Sequence, residues 1–314
     1  MSNLHVRDAS HYKVSSLCRL LGVSKQAYYK SHKQPFAISV EQEAQIVEFA
    51  LCERSLDPRI GCRKLWLIFI REHTHVSRAI FECVMASHGL KLRQKRNRIR
   101  TTCSLHGYPT FPDLIHETIP DRACQIWVAD ITYIRLYSPD GSVRFCYMSI
   151  VLDAYSRYIM GYYIGRTLET VYTSAALIMA LETSARLQLD IKGLIHHSDR
   201  GVQYASADYV NILKDNNISI SMTQDGNPKD NPQAERINST VKHELLADTR
   251  FESIDDVYCV VPRRIEYYNS RRPHMSLNNL TPTQALACRG LLSKKWHSYR
   301  DEAILKNQKE MTAE

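Results

Sequence analysis

Along the first stretch of the chain the apolar positions Val14, Leu17, Cys18 and Leu21 recur at spacings of three and four, one face of an amphipathic helix ended by Gly22. Ser24 caps a second helix, Lys25 to Lys30, so the pair predicts a helix-turn-helix. A second pair follows. Leu65, Ile68 and Phe69 carry a helix over Arg63 to Glu72, and Ser77 caps another through Phe81, Val84 and Met85 that ends near Gly89. Residues 101–125 hold Gly107, Pro109, Pro112 and Pro120 with little periodicity and read as a linker. Beyond it the period changes from helical to strand-like. Trp127 to Leu136, Val143 to Leu152 and Arg157 to Ile164 are rich in β-branched and aromatic residues, with a turn at Ser138-Pro-Asp-Gly141, and predict an antiparallel meander. Thr170 then caps a long helix through Leu187, Leu194 and Ile195 belong to a fourth strand, Ala207 to Asn216 is helical, and Ile218 to Met222 is a fifth strand. Strands first and then alternating helix and strand is the order of a ribonuclease-H-like mixed five-stranded sheet with flanking helices, here preceded by an all-α region.

Four segments result: a helical region with two helix-turn-helix-like pairs over 1–100, a linker over 101–125, a catalytic-type core over 126–248, and a helical extension and tail over 249–314. Within the core, Lys192 to Ile195 read as a short buried strand, and Asp199 sits just past its end before Gly201. Asn231 and Pro232 read as the cap and first position of a helix, placing Glu235 about one turn in. On that helix Ala234, Ile237, Val241 and Leu245 form the apolar face, while Glu235, Asn238, Ser239 and Lys242 share a polar one.

Charge narrows the class of partner. The chain of 314 residues carries 41 Lys and Arg against 33 Asp and Glu, a net +8, which favours a polyanion. Residues 1–120 alone hold 18 basic and 10 acidic residues, so the excess lies in the helical region. It is densest in Lys91-Leu-Arg-Gln-Lys-Arg-Asn-Arg-Ile-Arg100, where six of ten residues are basic. The nine cysteines are scattered without a Cys-x-x-Cys pair, which points to a reduced, cytoplasmic protein without a structural zinc site. The first residues lack a signal-peptide core and no apolar run approaches 18 residues, so no membrane partner is expected.

Asp130 lies mid-strand, inside Trp127-Val-Ala-Asp-Ile-Thr132, where an isolated charge is costly to bury. If the first and fourth strands are neighbours, Asp130 and Asp199 approach each other and the Glu235 helix closes the third side. Three carboxylates gathered in one place repel unless divalent metal neutralises them. All-oxygen ligation suits Mg²⁺ or Mn²⁺. Two such ions about 4 Å apart activate an attacking water or 3′-hydroxyl and stabilise the leaving oxygen of an in-line phosphoryl transfer, with Asp130 bridging and Asp199 and Glu235 each serving one ion.

The chain resembles the integrase-core DDE transposases with a retroviral-integrase-like core, in particular the B-frame transposase of bacterial insertion sequences. The resemblance runs from about Tyr12 to Leu286. It rests on Leu21-Gly-Val-Ser-Lys-Gln-Ala-Tyr-Tyr29, Ile60-Gly-Cys-Arg-Lys-Leu65, Trp127-Val-Ala-Asp-Ile-Thr132, Asp153-Ala-Tyr-Ser-Arg157, His197-Ser-Asp-Arg-Gly-Val-Gln-Tyr204, Ser221-Met-Thr-Gln-Asp-Gly-Asn-Pro-Lys-Asp-Asn231, Glu235 with Lys242 and Glu244, and Tyr268-Asn-Ser-Arg-Arg-Pro-His274. It implies that Asp130, Asp199 and Glu235 are the catalytic acids of metal-dependent DNA end cleavage and strand transfer. It further implies action on double-stranded element ends and target DNA as a homo-oligomer, an A-frame partner protein, and a bacterial, nucleoid-associated location. Val202 and Pro232 depart from the family's usual small residue and Ala without removing a ligand.

Candidate DNA contacts are Lys25, Gln26 and Tyr28 of the first recognition-type helix, and Arg93, Lys95, Arg96, Arg98 and Arg100 of the basic run. Arg200 and Gln203 beside Asp199, Lys242 below Glu235, and Arg271 and Arg272 near the tail complete the set. Asp153, His196 and His197 read as structural, with site contact the competing reading. Two other functions stay open on the sequence: a non-catalytic DNA-binding regulator, and a nuclease acting on RNA–DNA hybrids.

Overall fold

The computed structural model describes residues 14–20, 22, 24–26, 38–92, 110–224 and 231–311. The chain forms two compact units, Met1–Gln45 and Ile46–Glu314. In the first, α1 (Val14–Leu20) buries Cys18 and ends where Gly22 takes φ +64°, a left-handed conformation that glycine adopts without strain. Lys25 and Gln26 are helical and exposed. The rest of the expected second helix, Tyr28 included, lies outside the described residues, as do Arg93, Lys95, Arg96, Arg98 and Arg100.

A 17-residue helix, α2 (Val40–Leu56), stands where residue spacing announced none. Its apolar residues form no stripe: Leu51 is exposed, while the face buried through Ile46, Phe49 and Ala50 also takes Glu53. In the second unit α3 (Cys62–Glu72) and α4 (Arg78–Ser87) follow the expected pattern, with Ser77 Oγ accepting the Ile80 N–H at 3.3 Å as the α4 cap. Phe69 joins the helices to α2, its ring 5.2 Å from Phe49 and 5.5 Å from Phe81.

The sheet comprises β1 (Ile126–Tyr137), β2 (Val143–Asp153), β3 (Ile159–Gly165), β4 (Ile195–Ser198) and β5 (Ser219–Met222), in the order β3-β2-β1-β4-β5. The first three pair antiparallel, and β4 and β5 run parallel to β1. This is the ribonuclease-H-like topology. The turn at Ser138–Gly141 closes the first hairpin, with Gly141 at φ +84°. β4 starts three residues after the expected Lys192, because Gly193 at φ +73° turns the chain and the Leu194 N–H closes on the Ile191 carbonyl. The long helix α5 (Thr170–Arg186) has Glu169 rather than Thr170 as its cap residue. It crosses β3 so closely that a Cβ on Gly161 would stand 2.1 Å from the Ala176 carbonyl oxygen, which requires glycine there.

One face of the sheet builds the main core: Trp127, Ala129, Val151 and Met160 pack against Ala176, Leu177 and Ala180 of α5 and against Tyr204, Tyr209 and Leu213. Those last residues belong to α6 (Val202–Ala205) and α7 (Ala207–Asp215). Since strand side chains alternate, burying Trp127 and Ala129 on this face turns Asp130 to the other. There lies α8 (Pro232–Thr240), whose last turn continues into a π-helical turn at Val241–Leu245, closed by the Leu246 N–H on the Val241 carbonyl. α9 (Ile254–Ser270) starts at a Ser253/Asp256 capping box and is stitched to β3 by Asn269, which accepts the Ile159 N–H and donates to the Ile159 carbonyl. α10 (Pro282–Leu286) and α11 (Tyr299–Met311) complete the unit. Residues 112–114 lie along β5, with the Leu114 N–H on Ser221 Oγ and the Met222 N–H on the Pro112 carbonyl. Among the described residues no helix is long and apolar enough to cross a membrane.

Candidate active site

Parallel pairing of β1 with β4 sets Val128 opposite His197. Asp130 follows Val128 by two residues and Asp199 follows His197 by two, one residue past the end of β4, which puts the two carboxylates on the same side of the sheet. Asn231 then fixes the third element. Its Oδ1 caps α8 through the Ala234 N–H, and its Nδ2 donates to the Ala129 carbonyl at 3.2 Å, next to Asp130. Glu235, one turn in, donates its N–H to the Asn231 carbonyl and directs an exposed side chain away from the apolar face of Ala234, Ile237, Val241 and Leu245, all buried.

Electrostatics report the same proximity. Burial first, then the charge of Asp199, pushes the Asp130 carboxyl up to about 7; Glu235 adds to the rise, while bonds from the Ile131 N–H and Asn238 oppose it. Asp130 Oδ1 accepts the Ile131 N–H at 2.8 Å and Oδ2 accepts Asn238 Nδ2 at 2.7 Å. Asp199 Oδ1 accepts the Gly201 N–H at 3.0 Å. The arrangement is open: among the described residues no three His, Cys, Asp or Glu side chains are gathered closely enough to hold a metal ion. Its donors are nonetheless all oxygen, and a carboxyl pushed toward neutrality by burial and by two like charges fits a divalent cation.

Lys242 shares the polar side of α8, its Nζ 3.6 Å from the centre of the Tyr133 ring, and burial lowers its pKa against the opposing pull of Asp130. Arg200 spends its Nε on the Thr223 carbonyl at 2.7 Å and Gln203 its Nε2 on the Leu168 carbonyl at 2.9 Å, so both brace the loop after β4. Arg271 pairs with Glu53 at 2.7 Å and Glu72 at 2.8 Å. Arg272 is a correction to the expected DNA contact: only 2% exposed, its guanidinium holds Asp57 and Glu244 inside the protein. Burial works against ionisation of Glu244, but Arg272 and Lys64 outweigh it and draw that carboxyl down to about 2. Asp153 is fully buried, accepting the Cys124 and Ser156 N–H groups, and His196 and His197 are buried on Tyr209 OH and Ser221 Oγ. These three are structural. Sequence reasoning left Asn238 on the polar face without a partner; its spacing of one turn from Glu235 was the available signal.

Two models of the integrase core domain match the chain, over residues 120–228 and 216–282. The protein of insertion element IS600 from Shigella sonnei, described as an uncharacterized 31 kDa protein, is 32% identical over 85% of this chain and 96% of its own length. The protein assigned as transposase of insertion sequence element IS986/IS6110 in Mycobacterium tuberculosis is 32% identical over 71% of this chain and 80% of its own. The chain belongs to the integrase-core transposases of bacterial insertion sequences. Among solved structures, the simian T-cell lymphotropic virus intasome in complex with PP2A regulatory subunit B56 gamma is similar at TM-score 0.44 and 16% identity, covering 80% of this chain and 78% of that one. For this transposase the ribonuclease-H-like assignment rests on its own strand order.

Proposed function

We propose that the chain is a DDE-type polynucleotidyl transferase that cleaves and joins DNA at insertion-sequence ends, with Asp130, Asp199 and Glu235 as its catalytic acids. The observation that carries this is the Asp130 carboxyl on β1, which burial first, and then the charges of Asp199 and Glu235, push up to about 7. Asp130, Asp199 and Glu235 would hold Mg²⁺ or Mn²⁺, which when bound supplies activation of the attacking hydroxyl and charge neutralisation at the phosphate, with two ions the arrangement we favour. The Asn238 bond favours the ionised form of Asp130 against the burial that opposes it, and the Asn231 bridge to Ala129 keeps α8, with Glu235, beside β1. Lys242, its Nζ resting on the Tyr133 ring, is the cation on this side that would meet the DNA strand. Double-stranded element ends and target DNA are the substrates; since two ends must be joined, the chain acts as a homo-oligomer on DNA, with an A-frame protein as a further partner.

The test is incubation of the protein with element-end DNA and Mg²⁺. Strand-transfer product is expected from the wild type and absent from Asp199→Asn; product surviving that substitution contradicts the site. A second reading, a non-catalytic DNA-binding regulator, draws on the open arrangement of the carboxylates. It is favoured if calorimetry shows specific DNA binding but no Mn²⁺ binding.

A further inference from the structure

At about 100° per residue, α8 turns Gln233, Arg236, Ile237 and Thr240 to the side away from Glu235 and Asn238. That side walls a cavity of about 380 Å³, within the range of roughly 300–1,000 Å³ typical of ligand sites. Its charged lining is entirely cationic: Lys64, Arg157, Arg236 and Arg272. Two carboxylates stand behind this wall. Glu244 meets Lys64 at 3.2 Å, Arg236 at 3.3 Å and also Arg272, while Asp57 meets Arg272 at 3.3 Å. His274, also in the lining, is held neutral, burial first and then Arg272 keeping its pKa well below the usual value.

Four cations against two carboxylates leave an excess, and it centres on Arg157. Among the described residues Arg157 forms no ion pair; Tyr268, Asp153 and Asp301 act on it only through space. Its Nη1 is closed to solvent and has no hydrogen-bond partner. Lys64 feels the same excess: burial and then Arg272 bring its pKa down to about 8. A partly buried surplus of cations is costly unless an anion meets it.

The shape says which anion. Trp296, 48% exposed, lines the same cavity, and it lines with Arg157, Gln233 and Ser276 a neighbouring cavity of about 610 Å³ that continues past Lys306 and Lys309. The second lining also holds Asp301 and Glu302, but Lys294, Arg300, Lys306 and Lys309 outnumber them, and a mainly basic lining over two adjacent cavities with an accessible indole suits a strand rather than a single ion. We propose that the cavity behind α8 takes a backbone phosphate of a single DNA strand, with the adjoining base stacked on Trp296. This rests on the reading that the chain acts on DNA and adds a strand-binding subsite on the face of α8 away from the three acids.

The experiment uses the full chain in chelator, where no transfer occurs, with a 12-nucleotide single strand titrated against tryptophan fluorescence at several salt concentrations. Emission is expected to be quenched on binding, and Trp296→Phe to lose most of that quench. Trp296→Ala is expected to weaken binding roughly five- to a hundredfold, the range for one stacked base. Arg157→Gln and Arg236→Gln should each flatten the log-log salt slope by about 0.7. Arg236 has a side chain 71% exposed, so its variant tests the site even if Arg157→Gln fails to fold. Unchanged emission with unchanged slopes overturns the proposal. So does protection by inorganic phosphate that Arg157→Gln abolishes while the strand leaves Trp296 unaffected, which marks a free-phosphate site. Because the readout is binding without metal, absence of strand transfer by the wild type would sink the catalytic reading and leave this one standing.

Discussion

Asn238 donates from Nδ2 to Asp130 Oδ2 at 2.7 Å, from a position one turn beyond Glu235 on the same helix. A hydrogen bond to the ionised form favours ionisation, so this contact opposes the burial and the Asp199 charge that push Asp130 upward. Removing it in Asn238→Ala should move the acid limb of the strand-transfer pH profile to higher pH and lower the rate at pH 7 on the order of tenfold, the scale of a bond to a charged group. A profile that falls in amplitude but keeps its acid limb would assign Asn238 to packing instead.

The elevated Asp130 carboxyl also has a stability consequence. A carboxyl whose folded pKa lies near 7 instead of the usual 3.8 binds more protons in the folded than in the unfolded state between those limits. Its ionisation therefore costs stability progressively as pH rises through that window. Without metal, Asp130→Asn should melt several degrees above the wild type at pH 8, with the gap closing toward pH 5. Mn²⁺ should raise the wild-type melting temperature at pH 8 and leave Asp130→Asn nearly unmoved. Equal melting temperatures at pH 8 in chelator would show that Asp130 is not held neutral.

Arg272 sits where two carboxylates from distant elements converge, Asp57 at the end of α2 and Glu244 in the π-helical turn. Replacing it with Met would leave both acids buried without their shared cation, a loss of about 3–5 kcal/mol for a broken buried pair. Urea unfolding is expected to show that loss. If instead Arg272→Met kept its midpoint and lowered the salt dependence of DNA binding, the residue would be a phosphate contact after all.

Much of this was readable along the chain because it is local. The β-branched run at Trp127–Leu136, the Ser138–Gly141 turn and the Asn231-Pro232 start each declare an element through short-range preference, and the strand order then sets β4, which Asp199 follows, beside β1, which carries Asp130. The same reading could not separate Arg271-Arg272 as a DNA contact from Arg272 as a buried cation, since Asp57 lies 215 positions away. Nor could it find α2, whose buried face includes Glu53, because the Arg271 and Tyr267 partners that make that burial tolerable are 218 and 214 residues off. The π-helical turn is hidden for a related reason: Val241, Lys242 and Glu244 fit an ordinary helix until Glu244 must reach Lys64 and Arg272.

The basic run remains the strongest candidate for holding duplex DNA. Six basic residues in the ten from Lys91 to Arg100 would, if each neutralised a phosphate, give a log-log salt slope of roughly −5. Replacing Arg93, Lys95, Arg96, Arg98 and Arg100 together by Gln removes five of those charges and should flatten the slope by roughly 4.5 while weakening binding across unrelated sequences alike. Urea unfolding of variant and wild type, run beside the titration, separates a lost phosphate contact from a lost fold. A slope that stays steep after the replacement would place the duplex contact elsewhere, with the exposed Lys25 and Gln26 of the first unit next to be tested.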